Sequence, residues 1–219
     1  MQIPISARLL ACAGFVPRGS RVADIGCDHG YLGIHLLQQG IASRVIASDI
    51  NQGPLDSARR NGVKYGVGEK MSFHLSDGAK AIPRDFDVMV CAGMGGDTMI
   101  SILEDASWLK SEQYTLILQC QSKTPKLRSY LTENGWCIGE ESVLRDGRFL
   151  YTVMKVQYQP DAPRLSLGQQ YFSPALLRDP SPEAAEYFQW VVGGLKLATA
   201  HQDDPEKTQA LQELEQMKW

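Results

Sequence analysis

The sequence predicts an α/β protein: a doubly wound parallel sheet with an antiparallel hairpin at one edge, followed by a short C-terminal helical extension. Three observations carry that expectation. Short apolar runs alternate with segments of helical spacing over the first 160 residues, the pattern of parallel strands joined by crossover helices. Asp146-Gly147 then separates two strand-like runs, a strong hairpin signal. Beyond Gln159-Pro160-Asp161-Ala162-Pro163, which reads as a linker, two segments open with proline directly after a capping residue and carry apolar stripes. These features divide the chain into a sheet domain at residues 1–160 and a helical extension at 161–219.

The elements follow in order. Residues 21–26 (RVADIG) form a buried strand. A helix at 31–39 places Leu32, Leu36 and Leu37 on one side and stops at Gly40. Residues 44–50 (RVIASDI) are the second strand, and 54–65 the second helix, with Pro54 near its start and Leu55 and Ala58 facing inward. The third strand is 71–75. The fourth, 86–91 (FDVMVC), runs into a glycine turn and a helix through Met99, Ile100 and Leu103. The fifth, 114–119 (YTLILQ), precedes a helix at 126–133 capped by Gly135. Strands 136–144 and 148–157 make the hairpin. In the tail, helices at 182–200 and 205–217 follow Ser181 and Asp204, both good N-caps. Val191, Val192, Leu195, Leu211 and Leu214 give stripes that bury against each other or against the sheet domain. Five strand–helix units imply a sheet ordered 3-2-1-4-5 with the hairpin beside it.

Composition narrows the class. The chain has 219 residues, 43% hydrophobic and 21% charged, which suits a folded globular protein and excludes a disordered or collagen-like one. Lys and Arg number 22 against 25 Asp and Glu, a net charge of −3, so bulk charge does not mark a nucleic-acid coat. The total is uneven: residues 1–160 hold 17 basic and 16 acidic side chains, residues 161–219 hold 5 and 9. No apolar run is long enough for a membrane span, and the segment from Leu9 to Val16 is too short for a secretory signal. Five cysteines without a CxxC pair fit a reducing, cytoplasmic setting.

The chemistry concentrates at strand ends. The first strand closes as Asp24-Ile25-Gly26-Cys27-Asp28-His29-Gly30, a D-x-G-x-x-x-G turn rather than the G-x-G-x-x-G of a dinucleotide site. A pyrophosphate needs bare backbone amides at a helix N-terminus. A carboxylate-rich turn instead suits S-adenosylmethionine, whose ammonium and sulfonium are both cationic. The second strand ends at Ser48-Asp49-Ile50, where an acid can accept from both ribose hydroxyls or cap the next helix. Asp77-Gly78 follows the third strand; the Asp can accept from an adenine amino group, although the pair is also a common turn. The fourth strand ends Cys91-Ala92-Gly93-Met94-Gly95-Gly96, small enough for backbone to approach a ligand closely. All four lie at the carboxyl ends of parallel strands, where open α/β sheets bind ligands.

These residues make the chain similar to the TrmK family of bacterial tRNA (adenine-22-N1)-methyltransferases. The similarity is carried by Ser6-Ala7-Arg8-Leu9, by the string from Ala23 to Leu32, by Asp49 to Leu55, by Ala92 to Gly96 and by Leu116-Ile117-Leu118-Gln119. It implies a Rossmann-like class I methyltransferase with a helical extension, S-adenosyl-L-methionine as cofactor, S-adenosyl-L-homocysteine as product and tRNA as substrate. It further implies cofactor contacts from Asp24, Gly26, Asp28, Asp49, Ile50, Asp77, Gly78, Ala92, Gly93, Met94 and Gly95, and substrate contacts from Arg8, Gln119 and Gln121. The chain departs from the family at Gln119-Cys120-Gln121, where Gln-Pro-Asn is usual, at Gly33, where Pro is usual, and at Phe172-Ser173-Pro174, where Phe-Gly-Pro is usual. A methyltransferase acting on another nucleic acid or on a small molecule, and a non-catalytic cofactor-binding protein, are the competing readings.

The N1 of neutral adenine has a free lone pair, so methylation there needs positioning more than a base. Asp28 is the first candidate to stabilise the cationic product, with His29 and Tyr31 shaping the pocket. Because N1 lies on the pairing edge, the base must be unpaired or flipped. Arg8, Arg59, Arg60, Lys123, Lys126 and Arg128 are the candidate phosphate contacts. In the expected strand order Cys27, Cys91 and Cys120 reach the same sheet edge. Small thiols filling tight turns are the favoured reading over a metal or redox site. Neither a resident metal nor an obligate protein partner is expected.

Overall fold

A computed structural model describes residues 3–201 and 203–217. Its seven strands are β1 (Ser20–Ile25), β2 (Ala42–Asp49), β3 (Met71–Leu75), β4 (Val88–Met94), β5 (Thr115–Cys120), β6 (Trp136–Asp146) and β7 (Phe149–Tyr158). They form one sheet in the order β3-β2-β1-β4-β5-β7-β6. The first five pair in parallel, and β7 runs antiparallel between β5 and β6. The predicted order 3-2-1-4-5 is therefore observed, and the hairpin inserts through its second strand.

Two apolar layers cover the sheet. One face buries Val22, Val45, Val90 and Ile117 under α1 (Ala7–Phe15), α2 (Tyr31–Gln38) and α3 (Gln52–Lys64). The other buries Met89, Leu116, Leu118 and Met154 under α4 (Gly96–Asp105) and α5 (Thr124–Glu133). Two differences from the predicted elements have physical reasons. α1 was not predicted, because its apolar residues run together without clear periodicity; Ser6 caps it by accepting from the Leu9 amide at 3.4 Å. The chain between β3 and β4 contains no helix, so four strand–helix units stand where five were expected. Asp77-Gly78 turns the chain there, and Ala79, Ile82 and Phe86 enter the core directly. Gly78 has φ +57°, and a Cβ on it would lie 2.9 Å from Ile102, so glycine is required.

The extension consists of α6 (Leu167–Tyr171), α7 (Pro182–His201) and α8 (Pro205–Gln216). Phe172, Leu176, Tyr187, Val191, Leu195 and Leu214 form a third apolar cluster, joined to the sheet through Val143 of β6. A buried ion pair fastens it. Arg128 of α5 donates to Glu141 of β6 at 2.7 Å and to the carbonyls of Gln170 and Tyr171 at 2.8 and 2.7 Å. Ser173 donates to the second oxygen of Glu141 at 2.5 Å. Arg128 and Glu141 expose none of their side chains, which corrects the expectation that Arg128 serves an RNA surface. Its neighbours in sequence, Leu127 and Leu131, are equally buried, so the helix turns this whole face inward. No helix of the described residues is long and apolar enough to cross a membrane.

Candidate active site

The carboxyl ends of β1, β4 and β5 surround a cleft of about 320 Å³. Asp24 and Asp28 form one side, His29 and Tyr31 continue it, and Arg8 and Gln121 stand with the backbone of Ala92, Gly93 and Met94. Gly26 and Cys27 lie between the two acids, their amides donating to the carbonyl of Ser48 at 2.9 and 2.8 Å. Those bonds tie the first turn to the end of β2. Asp28 adopts φ +48°, a left-handed conformation that Asp tolerates better than most residues.

Asp24 is the unusual group. It is only 4% exposed, and its Oδ2 has no hydrogen-bond partner among the described residues. Burial pushes its pKa up to about 7, against the pull of the Gly33 backbone amide and with a smaller push from the charge of Asp49. A buried carboxylate with an unpartnered oxygen in a cleft wall is matched to a cationic ligand group. The residues therefore fit S-adenosylmethionine as acceptors for its cationic end.

Asp49 does not line the cleft directly. Its Oδ2 accepts from the Asp28 amide at 3.2 Å and its Oδ1 from the Asn51 amide at 2.9 Å. It thereby braces the Asp28 turn, and each oxygen retains one lone pair. Asn51, rather than Asp49, is the N-cap of α3.

Gln119 is fully buried and corrects the expectation of a substrate contact. Its Oε1 accepts from the Gly93 amide at 3.0 Å and from Arg8 Nη1 at 3.4 Å, and its Nε2 donates to the Cys120 carbonyl at 3.2 Å. It holds the β4 turn, where Gly93 has φ +80°, and positions Arg8. The guanidinium of Arg8 also donates to Asp146 at 2.8 Å and lies 5.5 Å from the centre of the Tyr151 ring. Asp146 and Tyr151 were missed in the sequence, since a hairpin signal says nothing about which strand its tip approaches.

Ile50, Asp77, Gly78 and Gly95 lie outside the wall of the cleft. Ile50 is exposed, and Asp77 pairs with Lys80 at 2.6 Å. Lys123 and Lys126 both pair with Asp97, and the Arg59 guanidinium covers the Phe73 ring. All five cysteines are free. Burial pushes the thiol of Cys12 up to about 12 and raises those of Cys27, Cys91 and Cys120, so all four stay protonated. Among the described residues no group of three or more His, Cys, Asp or Glu is placed to hold a metal ion.

Known proteins share this fold. The family described as a methyltransferase domain matches residues 5–154. The tRNA (adenine(22)-N(1))-methyltransferase of Bacillus subtilis is 32% identical over 154 residues, which cover 70% of this chain and 65% of that one. Across the first three curated relatives the match spans 61 to 65% of their length. Among solved structures, Sp1610 of Streptococcus pneumoniae in complex with S-adenosyl-L-methionine superposes with a TM-score of 0.85 at 32% identity, covering 96% of this chain and 99% of that one. The Bacillus subtilis M1A22 tRNA methyltransferase TrmK superposes with a TM-score of 0.81 at 27% identity, covering 97% and 95%.

Proposed function

The chain belongs to the methyltransferase-domain family, in the group of TrmK and its relatives, and from that premise we propose that it transfers a methyl group from S-adenosyl-L-methionine to N1 of an adenine in tRNA. The observation that carries the reading is the buried, unpartnered carboxylate of Asp24 in the wall of a cleft at the carboxyl edge of the sheet. Bound S-adenosylmethionine supplies an electrophilic methyl group on a sulfonium. Asp24 takes its ammonium, and the Gly26–Asp28 turn and the Ala92–Met94 backbone enclose it. Asp49 uses its free lone pairs for the ribose hydroxyls.

No residue has to remove a proton from adenine N1. The exposed carboxylate of Asp28 stands where it stabilises the positive charge that develops on the base. His29 lies 3.7 Å from that carboxylate, and its ring centre is 5.8 Å from that of Tyr31 with the planes tilted by 41°, so the two rings border the place of the base from different angles. Arg8 spends donors on Asp146 and Gln119 and keeps others for an RNA phosphate. Gln121, which lines the cleft, takes the base-reading role that Gln119 does not reach.

Calorimetry with S-adenosylhomocysteine, with NAD as the comparison ligand, tests the cofactor half of this reading, and label transfer from S-adenosylmethionine to tRNA tests the substrate half. Binding of NAD alone, or tRNA without label, ends it. Asp49→Ala is expected to weaken S-adenosylhomocysteine binding roughly tenfold to a hundredfold, the effect of losing hydrogen bonds to a charged group. Unchanged affinity would remove Asp49 from the site.

A further inference from the structure

A second cavity, of about 300 Å³, opens between the sheet domain and the extension. We propose that it is a base-binding subsite, which holds an unpaired nucleotide of the RNA beside the one that is methylated. The proposal rests on the methyl-transfer reading above.

Four observations point to a nucleotide. The cavity shares Gln121 with the cleft, and Tyr151, which lines it, carries the Arg8 guanidinium on its ring. An RNA whose acceptor base meets Gln121 therefore brings its next nucleotide to this opening. The walls are aromatic. Tyr187 stacks on Trp190 with ring centres 5.7 Å apart and planes 29° apart, and Tyr171 lines the same space. Trp190 is 69% exposed, a large flat surface of the kind on which unpaired bases stack.

A residue with a buried polar group borders the same space. Thr152 lines the cavity, is 2% exposed, and its Oγ1 has no hydrogen-bond partner among the described residues. Its cross-strand partner Val143 packs with the extension, which places the Thr152 side chain on the tail side of the sheet. Such a hydroxyl is costly to bury unpaired and can donate to or accept from a base edge. Lys123 and Lys207 also line the cavity. Each forms one ion pair, with Asp97 and Asp204 respectively, and retains ammonium donors for a phosphate.

Gly194 borders the cavity and is exposed. It lies inside α7, where glycine is unfavourable, yet a Cβ placed on it would have no heavy atom within 4 Å. No packing contact requires the glycine, so a large side chain is tolerated at this wall position, where it narrows the opening. Gly193 beside it is equally open but does not line the cavity, which supplies a matched control.

The test compares Gly194→Phe, Trp190→Ala and Gly193→Phe with the wild-type protein. It uses anisotropy with an unmodified tRNA transcript, methyl transfer to that transcript, and calorimetry with S-adenosylhomocysteine. Gly194→Phe and Trp190→Ala are expected to raise the Kd and the KM for tRNA roughly tenfold each. Gly193→Phe is expected to match wild type, and all three to bind S-adenosylhomocysteine normally. Wild-type tRNA affinity in Gly194→Phe, in a protein that does methylate tRNA, overturns the subsite alone. A wild-type protein that neither binds nor methylates tRNA overturns the subsite and the methyl-transfer reading together.

Discussion

Asp24→Asn is expected to abolish measurable binding of S-adenosylmethionine while making the cofactor-free protein more stable at pH 8. Both effects follow from one carboxylate. Buried with an unpartnered oxygen, Asp24 titrates at about 7 in the free protein, well above its ordinary 3.8. A folded-state pKa raised above the unfolded one means that the folded protein holds the proton longer. The stability this contributes is complete below about pH 4 and is lost as the pH rises through about 7. By pH 8 the charged form costs on the order of 4 kcal/mol, the shift from 3.8 to about 7 at about 1.36 kcal/mol per unit. Asparagine removes that cost and with it the partner of the cofactor's ammonium. In the wild-type protein, cofactor affinity should rise close to tenfold per pH unit below about 7 and flatten above it, with about one proton released on binding at pH 6. Calorimetry in two buffers of different ionisation enthalpy reads that proton directly. Affinity that does not vary between pH 5.5 and 8, or normal binding by the Asn variant, would show that Asp24 does not meet the cation.

Arg128→Met should give the largest loss of stability, about 3–5 kcal/mol, because it leaves Glu141 charged and buried with no cation. The carbonyls of Gln170 and Tyr171 lose their donor in the same step. For a chain of this size the melting temperature should fall by roughly 6–20 °C. A double variant, Arg128→Met with Glu141→Gln, should recover part of the loss, since no unpaired charge then remains. Thermal melts at pH 7 and urea titrations check both. A single variant destabilised by less than about 1 kcal/mol would mean that the pair does not fasten the extension. RNA binding is affected as well, because the extension supplies Tyr171, Tyr187 and Trp190 to the second cavity. A loosened extension should weaken RNA binding more than cofactor binding.

The sheet was largely legible in the sequence, for a physical reason. Parallel strands buried on both faces must be apolar along their length, so RVADIG, RVIASDI and YTLILQ declare themselves without any partner. The hairpin declares itself by Asp146-Gly147, since few other pairs fit a two-residue turn. The cleft was legible because its acids lie at strand ends, a position set by topology alone. What stayed hidden depends on partners distant in sequence. Gln119 looks like the last polar residue of a strand facing ligand, yet its register partner Ala92 brings the Gly93 amide over it. Arg128 looks like a helix-surface cation until the β6 register places Glu141 against it. Arg8 belongs to the site only because the hairpin tip returns Asp146 to α1. Asp77 shows the reverse: with Gly78 it forms the turn that the sequence predicts, but the side chain pairs with Lys80 and is not among the groups that line the cleft.

Transfer of a methyl group to N1 of a tRNA adenine is the activity we propose for this chain. The most direct test is mass spectrometry of nucleosides from unmodified tRNA incubated with the protein and S-adenosylmethionine. 1-Methyladenosine is expected with the wild-type protein and absent with Asp24→Asn. An intact, cofactor-binding protein that yields no 1-methyladenosine, or places the methyl group on another atom of the base, would contradict it.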